Sequence, residues 1–240
     1  MISDNARSPL YVIVDQDSEE CLASAEEIVN FFVDTDEPES GVVRLRGMHD
    51  THSARRRSER AELRVCDFRG KTIGAYYLGR VEITGSHDER SFTGYTYDYP
   101  QAGEVWKRWA STVALELGEW KRYPPSYHRS WLHVTQVAWF TAHQSVFRAS
   151  REDSRSVDGA MMFNKYSFYC ALGEALNGPG GYFGSNLDAL ADCLSSVRAS
   201  APIRQLRWNN FSASLDSLGR DYVAAVVSVL EKADVTIHRG

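Results

Sequence analysis

The last third of the chain alternates between strand-like and helix-like segments, and this alternation restricts the fold more than any other feature of the sequence. A short strand pattern, IRQLRW, precedes a long and nearly apolar helix pattern, DYVAAVVSVLEKA, and a second strand pattern, DVTIH, follows it. Two strands that are joined through a helix run parallel when they share a sheet, because the helix returns the chain to the same end. Residues 155–240 are therefore predicted to form a small parallel sheet flanked by helices.

Two more helices are predicted ahead of these segments. SFYCALGEAL and SNLDALADCLSSV both repeat their apolar residues every three or four positions, and the sequence NGPGG ends the first of them. Trp208 is expected on the central or the adjoining strand. The core is expected to contain Leu172, Leu190, Leu194 and Val226, and Cys193 is expected to pack beside them.

The first 150 residues have a different pattern, which indicates an α+β domain rich in antiparallel strands. GVVRLRGM, AELRVCDF, TIGAYYLGRVEITG and RSFTGYTYDY alternate as antiparallel strands do. The spacing of apolar residues predicts helices over 23–32 and 102–120, and SWLHVTQVAWF resembles a strand. The polar segment RASREDSRS separates the two halves, so the predicted domains are 1–150 and 151–240.

Composition and charge exclude several classes of protein. The chain has 240 residues, 43% of them hydrophobic, and a net charge of −5, which is typical of a globular protein. Residues 154–240 carry eight acidic and eight basic residues, and no broad basic face for nucleic acid is apparent. The chain lacks an apolar run of membrane-spanning length and a leader-like start, so we expect a cytoplasmic protein that contacts no membrane. Its four cysteines are widely spaced, which favours reduced thiols in or near the core.

The usual catalytic and metal-binding motifs are absent or incomplete. His49 and His52 have metal-ligand spacing but no third ligand, so a surface loop is the better interpretation. The glycine-rich GYFGS and GPGG do not continue into a phosphate-binding loop, and Cys66 and Cys193 have no evident histidine partner. The basic ARRRSER segment is interpreted as a solvated loop, with a weak phosphate patch as the alternative. We therefore expect no enzyme activity, no metal and no cofactor.

One stretch, GGYFGSNLDALADCL, carries two aspartates, Asp188 and Asp192, that lie four residues apart on one helix. Like charges at this spacing repel, and no lysine or arginine lies between Lys165 and Arg198. Asp188 has a structural explanation, because Ser185 and Asp188 have the spacing of a capping box. Asp192 lies a turn further along, where capping no longer applies. Two carboxylates on an outward face, preceded by Tyr182 and Phe183, suit the cationic cleft of a protein partner.

The same stretch resembles the signature of the barstar family, the protein inhibitors of barnase-type ribonucleases. VDGAMMFNKYSFYCALGEAL is similar to the first strand, turn and helix of that family, LRWNNF to its second strand and ADVTI to its last strand. The resemblance covers about residues 155–240, and the first 150 residues resemble no family that we recognise. It implies a three-stranded parallel sheet flanked by helices.

The resemblance also implies a function and a binding site. The protein would be an immunity protein that blocks the active site of a cognate ribonuclease toxin with its acidic helix. Asp192 would take the place of the scissile phosphate, Asp188 would meet an arginine near the guanine site, and Tyr182 would pack on the catalytic histidine. The residues expected to contact the partner are Tyr182, Phe183, Gly184, Asn186, Asp188, Ala191 and Asp192.

Two departures from the family pattern keep other functions open. Ala191 stands where the family often has a tryptophan, and Val227 stands where barstar has an acidic interface residue. The alternative is a non-inhibitory interaction or regulatory module on a barstar scaffold, whose partner is selected by the N-terminal half. A third hypothesis makes the N-terminal half an enzyme that the C-terminal half regulates.

Overall fold

A computed structural model describes residues 8–34, 40–49, 55–86, 88–144, 155–198 and 203–240. The chain divides into two compact units, residues 1–114 and 115–240. Each unit has a sheet of its own, as expected for two separate domains. The boundary predicted near residue 150 lies outside the described residues and stays a prediction. Across the described part of the chain, no helix combines the length and the apolar character that crossing a bilayer requires.

The first unit is built on a seven-stranded antiparallel sheet, which confirms the predicted strand-rich N-terminal half. The spatial order of its strands is β5-β4-β1-β2-β3-β7-β6, and every pairing is antiparallel. The strands are β1 (Tyr11–Asp15), β2 (Cys21–Val29), β3 (Ser40–His49), β4 (Arg57–Cys66), β5 (Thr72–Glu82), β6 (Thr84–Gly85) and β7 (Glu89–Tyr95).

The helix predicted over 23–32 is wrong, because those residues lie largely in β2. Ala25, Ile28, Val29 and Phe32 have helical spacing, but β2 pairs with β1 along one edge and with β3 along the other. Where both faces of a strand are covered, consecutive residues can all be apolar, and the alternation typical of a half-buried strand is lost. The residues from 22 to 25 are all buried.

Helix α1 (Ala102–Trp109) packs within the first unit, as predicted, but it is much shorter than the predicted 102–120. Its buried Trp106 donates an indole N–H hydrogen bond to the hydroxyl of Tyr76 at 2.9 Å. The chain leaves the helix after Trp109, where the Arg108 guanidinium bonds the carbonyl groups of Val113 and Ala114. These bonds hold a turn in place of further helix.

Three of the four arginines of ARRRSER are ion-paired and the fourth, Arg56, bonds the Leu22 carbonyl group at 3.4 Å, so they do not form a free basic loop. Arg57 to Arg60 belong to β4. Ion pairs join the arginines of this segment to acidic side chains of the same unit: Arg55 with Asp15 at 3.0 Å and with Glu20 at 3.7 Å, Arg57 with Glu82 at 2.5 Å and Arg60 with Asp17 at 2.8 Å. The pairing leaves little positive charge for a phosphate, so it argues against the phosphate patch.

The second unit begins with a helix where the sequence pattern suggested a strand. SWLHVTQVAWF lies in α2 (His128–Thr141), so that prediction is wrong. Its aromatic and β-branched residues are typical of strands. The buried residues nevertheless include a set at helical spacing: Trp131, Thr135, Ala138 and Trp139.

The rest of the second unit confirms the predicted three-stranded parallel sheet flanked by helices. The strand order is β10-β9-β8, and both pairings are parallel. Among the described residues four α-helices connect the strands, and one of them, α5, has no counterpart in the sequence prediction. The elements are β8 (Arg155–Asp158), α3 (Lys165–Asn177), α4 (Leu187–Arg198), β9 (Gln205–Asn209), α5 (Phe211–Leu218), α6 (Arg220–Lys232) and β10 (Thr236–Arg239).

Trp208 lies on the central strand and is fully buried, as predicted. Its ring stacks on Phe168 with centroids 5.4 Å apart, and its indole N–H donates to the hydroxyl of Ser214 at 2.8 Å. A buried indole needs such an acceptor, and α5 supplies it. The other predicted core residues are also buried: Leu172, Leu190, Leu194 and Val226.

Candidate protein-binding site

Helix α4 carries both aspartates of the predicted site, and Asn186 caps it. The side-chain oxygen of Asn186 accepts a hydrogen bond from the Ala189 amide at 2.8 Å, and its carbonyl accepts one from the Leu190 amide at 2.9 Å. These two bonds are the ones that an N-cap residue makes. The predicted capping box from Ser185 to Asp188 is therefore wrong. Asp188 lies at the second helical position, where its charge favours the helix dipole.

The two sides of α4 have opposite character. Leu190, Cys193 and Leu194 are buried against the domain, whereas Leu187, which was expected among them, is half-buried. The outward side carries Asp188 and Asp192, both exposed, as the sequence predicted. Ala191 is half-buried between them and Asn186 is exposed, so four of the seven predicted contact residues reach the surface.

The other three predicted contact residues are buried, which corrects the expectation that aromatic rings flank the acidic face. Phe183 and Gly184 are enclosed, and the side chain of Tyr182 is only 3% exposed. Tyr182 contacts the ring of Phe140 on α2, with centroids 5.5 Å apart, and its hydroxyl lies 3.4 Å from that of Ser185. Phe140 lies 42 residues away in the sequence, so no local pattern could have predicted this burial.

Gly184 is required by the path of the chain into α4. Its φ of +91° lies in the region that favours glycine, and an added Cβ would lie 2.9 Å from the Leu190 amide nitrogen. A side chain at this position would push the loop away from the first turn of the helix. Gly184 thus shapes the loop and presents no side chain of its own.

The carboxylates of Asp188 and Asp192 affect the pKa values of neighbouring side chains. Burial, with a smaller contribution from Asp192, raises the pKa of Cys193 to about 11. The pKa of Tyr182 is raised as well, first by burial and also by Asp192. Asp188 contributes to the raised pKa of Tyr169, whose main cause is burial. The carboxylates therefore disfavour further negative charge in the loop and helix, which is the condition that a cationic partner would relieve.

The described residues contain no group of three or more histidine, cysteine, aspartate or glutamate side chains that could hold a metal ion. His49 lies in β3 and not in the loop that was predicted, and its ring contacts the Glu26 carboxylate at 2.5 Å. His52, the other half of the motif, lies outside the described residues. The chemistry that α4 offers is therefore that of two exposed carboxylates, which accept hydrogen bonds and attract cations.

The second unit contains a three-stranded parallel sheet flanked by helices, one of which carries two exposed carboxylates, and this defines a small α/β domain. Residues 153–239 match the family model Barstar, described as Barstar (barnase inhibitor). The match confirms the resemblance drawn from the sequence, and it leaves residues 1–152 outside it. No curated protein matches the chain.

Proposed function

We propose that this protein binds the active site of a barnase-type ribonuclease and inhibits it through α4. The observation that carries the proposal is the position of Asp188 and Asp192. Both are exposed on one side of α4, within the part of the chain that matches the Barstar family. In this proposal the protein is an inhibitor and not an enzyme, and its partner is basic.

The repulsion between the two aspartates supports this proposal. Like charges one helical turn apart destabilise a helix by about 0.2–0.5 kcal/mol, and no lysine or arginine between Lys165 and Arg198 offsets them. A cationic cleft would neutralise both carboxylates when the complex forms. Complementary charge also accelerates association, because it steers the two proteins together.

The partner surface would consist of Asn186, Asp188, Ala191 and Asp192. Tyr182, Phe183 and Gly184 would support it from below, since they are buried. We further propose that the protein is a cytoplasmic immunity protein. The four cysteines are unpaired, as cysteines in a reducing compartment usually are.

Two observations favour the alternative, a non-inhibitory interaction module on the same scaffold. Val227 is only 8% exposed and cannot replace an acidic interface residue. Tyr182 is covered by Phe140, so it offers little surface to a partner. Both differences reduce the surface available for a ribonuclease, and the alternative predicts a partner without nuclease activity.

An inhibition assay separates the two candidates. The full-length protein is titrated against barnase and other ribonucleases of its type, with cleavage of a fluorogenic RNA as the readout. The proposed function predicts stoichiometric inhibition of at least one of them, with binding that weakens as salt is added because exposed charges are screened. Full nuclease activity at saturating protein for all of them would favour the interaction module.

A further inference from the structure

Glu174 on α3 is a buried carboxylate that connects two separate stretches of the second unit. Its side chain is only 7% exposed. One oxygen accepts hydrogen bonds from the Gly118 amide at 2.7 Å and from the Trp120 indole at 3.0 Å. The other oxygen accepts from the Gly180 amide at 3.4 Å. A buried charge is costly unless its oxygens are bonded in this way.

Two of the donors, Gly118 and Trp120, lie outside the family match, and the third, Gly180, lies inside it. Gly118 and Trp120 precede residues 153–239, whereas Gly180 belongs to the loop 178–186 that leads into α4, which we call the site loop. Burial raises the pKa of Glu174, and the three N–H donors act in the opposite direction. The ionised carboxylate of Glu174 carries no proton, so both of its oxygens can accept hydrogen bonds, one from each stretch.

The site loop lies directly on α3. An added Cβ at Gly173 would come within 2.2 Å of the Gly181 carbonyl oxygen, so only glycine permits this approach. The side-chain amide of Asn177 donates to the Tyr182 carbonyl at 2.8 Å. Glycines at 178, 180, 181 and 184 give the loop a large conformational entropy, which these contacts must overcome.

Phe140 makes the second contact between the preceding segment and the site loop. Its ring meets the ring of Tyr182 edge-on, with an interplanar angle of 61°. Tyr182 is buried, whereas 54% of Phe140 remains exposed. Because Phe140 is more than half exposed at the end of α2, its contact with Tyr182 is better explained as support for the site loop than as core packing.

We propose that residues 118–140 hold the site loop in its binding conformation through Glu174 and Phe140, which makes both positioning residues. The segment lies outside the Barstar match, so the inhibitor unit would begin well before residue 153. A loop that is fixed in advance loses less entropy on binding and releases its partner more slowly. This consequence for binding rests on the proposed function, but the effect on the loop itself does not.

Hydrogen exchange of the full-length protein, measured by mass spectrometry, tests the proposal without any partner. Glu174→Gln keeps the size of the side chain but replaces one acceptor oxygen with an N–H₂ donor. This donor must face the N–H group of Gly180 or, in the other orientation, those of Gly118 and Trp120, so at least one hydrogen bond is lost. Phe140→Ala removes the cover of Tyr182. The matched controls are the exposed Glu231→Gln and Phe163→Ala, since Phe163 is 50% exposed.

We expect both test variants to exchange the amides of residues 180–186 at least about tenfold faster, with β9 and β10 unchanged and both controls equal to wild type. Unchanged exchange in the site loop would overturn the proposal. Equal acceleration in the loop, β9 and β10 would also overturn it, because it would indicate general destabilisation. A failure to inhibit any ribonuclease would contradict the proposed function and leave this exchange result intact.

Discussion

The side-chain oxygen of Asn186 accepts a hydrogen bond from the Ala189 amide at 2.8 Å, and this bond caps the helix that carries the acidic site. We predict that Asn186→Ala lowers the free energy of unfolding by about 0.5–2 kcal/mol, the usual effect of losing an N-cap. Denaturant unfolding measures it. Ser185→Ala, at the neighbouring position, should have the smaller effect. The reverse order would show that Ser185 is the cap.

The Asp188 carboxylate interacts favourably with the helix dipole and is not part of a capping box. We predict that Asp188→Ala lowers the free energy of unfolding by less than about 1 kcal/mol. The lost interaction with the helix dipole, about 0.3–1 kcal/mol, is partly offset because the repulsion from Asp192, about 0.2–0.5 kcal/mol, is relieved. Binding to a ribonuclease should weaken less than for Asp192→Ala. A loss of stability as large as that of Asn186→Ala would indicate a capping role for Asp188.

Cys193 is predicted to resist thiol reagents in the folded protein. Its side chain is buried, and its pKa of about 11 leaves almost no thiolate at pH 8. Labelling with iodoacetamide and peptide mass spectrometry should show slower modification of Cys193 than of the partly exposed Cys21. Cys193→Ala should lower stability, because it leaves a space in the core, and should leave binding unchanged. Rapid labelling of Cys193 in the native state would contradict its packing role.

Two histidines in α2 make stability depend on pH. Burial lowers the pKa of His128, and burial together with the charge of Arg129 lowers that of His133 to about 3. Between about pH 6.5 and 3 the unfolded chain therefore binds a proton at His133 that the folded protein does not, and the lowered pKa of His128 acts in the same direction. The contribution of these histidines to the free energy of unfolding is fully present above pH 6.5 and is lost as the pH falls. The slope is at most about 1.4 kcal/mol per pH unit for each histidine.

The difference between wild type and His133→Gln isolates this effect. Glu174 has a raised pKa and acts in the opposite direction, but it is present in both proteins and cancels in the comparison. Denaturant unfolding from pH 7.5 to 5 should give a flatter profile for His133→Gln than for wild type. The exposed His238→Gln should follow wild type. Parallel profiles for all three proteins would contradict the prediction.

The sequence predicted the C-terminal sheet well because its signals are local and agree with one another. The helices around Leu172 and Leu190 repeat their apolar residues every three or four positions, the helix around Val226 is long and nearly apolar, and the strand around Trp208 lies between the last two in the sequence. In such a region the spacing of apolar residues decides both the element and its buried side. The match to the Barstar family extends over this region alone.

The errors occurred where distant contacts decide the outcome. β2 is a strand because β1 and β3 pair with both of its edges, which its own spacing does not reveal. Tyr182 is buried, and one of its contacts is Phe140, on a helix that was taken for a strand. The cap of α4 was assigned one residue early, since serine and asparagine are both common N-caps and the loop geometry selects between them.

The comparison of Asp192→Ala with wild type tests the central claim most directly. Asp192 is exposed and lies past the first turn of α4, so its removal should leave the free protein as stable as before or slightly more stable, because the repulsion from Asp188 is relieved. Binding to an inhibited ribonuclease should weaken by about 2–5 kcal/mol, mainly through faster dissociation, since the partner's cations would stay buried without a counter-charge. The exposed Asp216→Ala on α5 should match wild type in both respects.

The measurement is a thermal melt and an inhibition titration on the same three proteins. The account predicts that Asp192→Ala melts at or slightly above the wild-type temperature and loses most of its inhibition. An Asp192→Ala protein that is clearly destabilised and still inhibits as strongly as wild type would contradict the account.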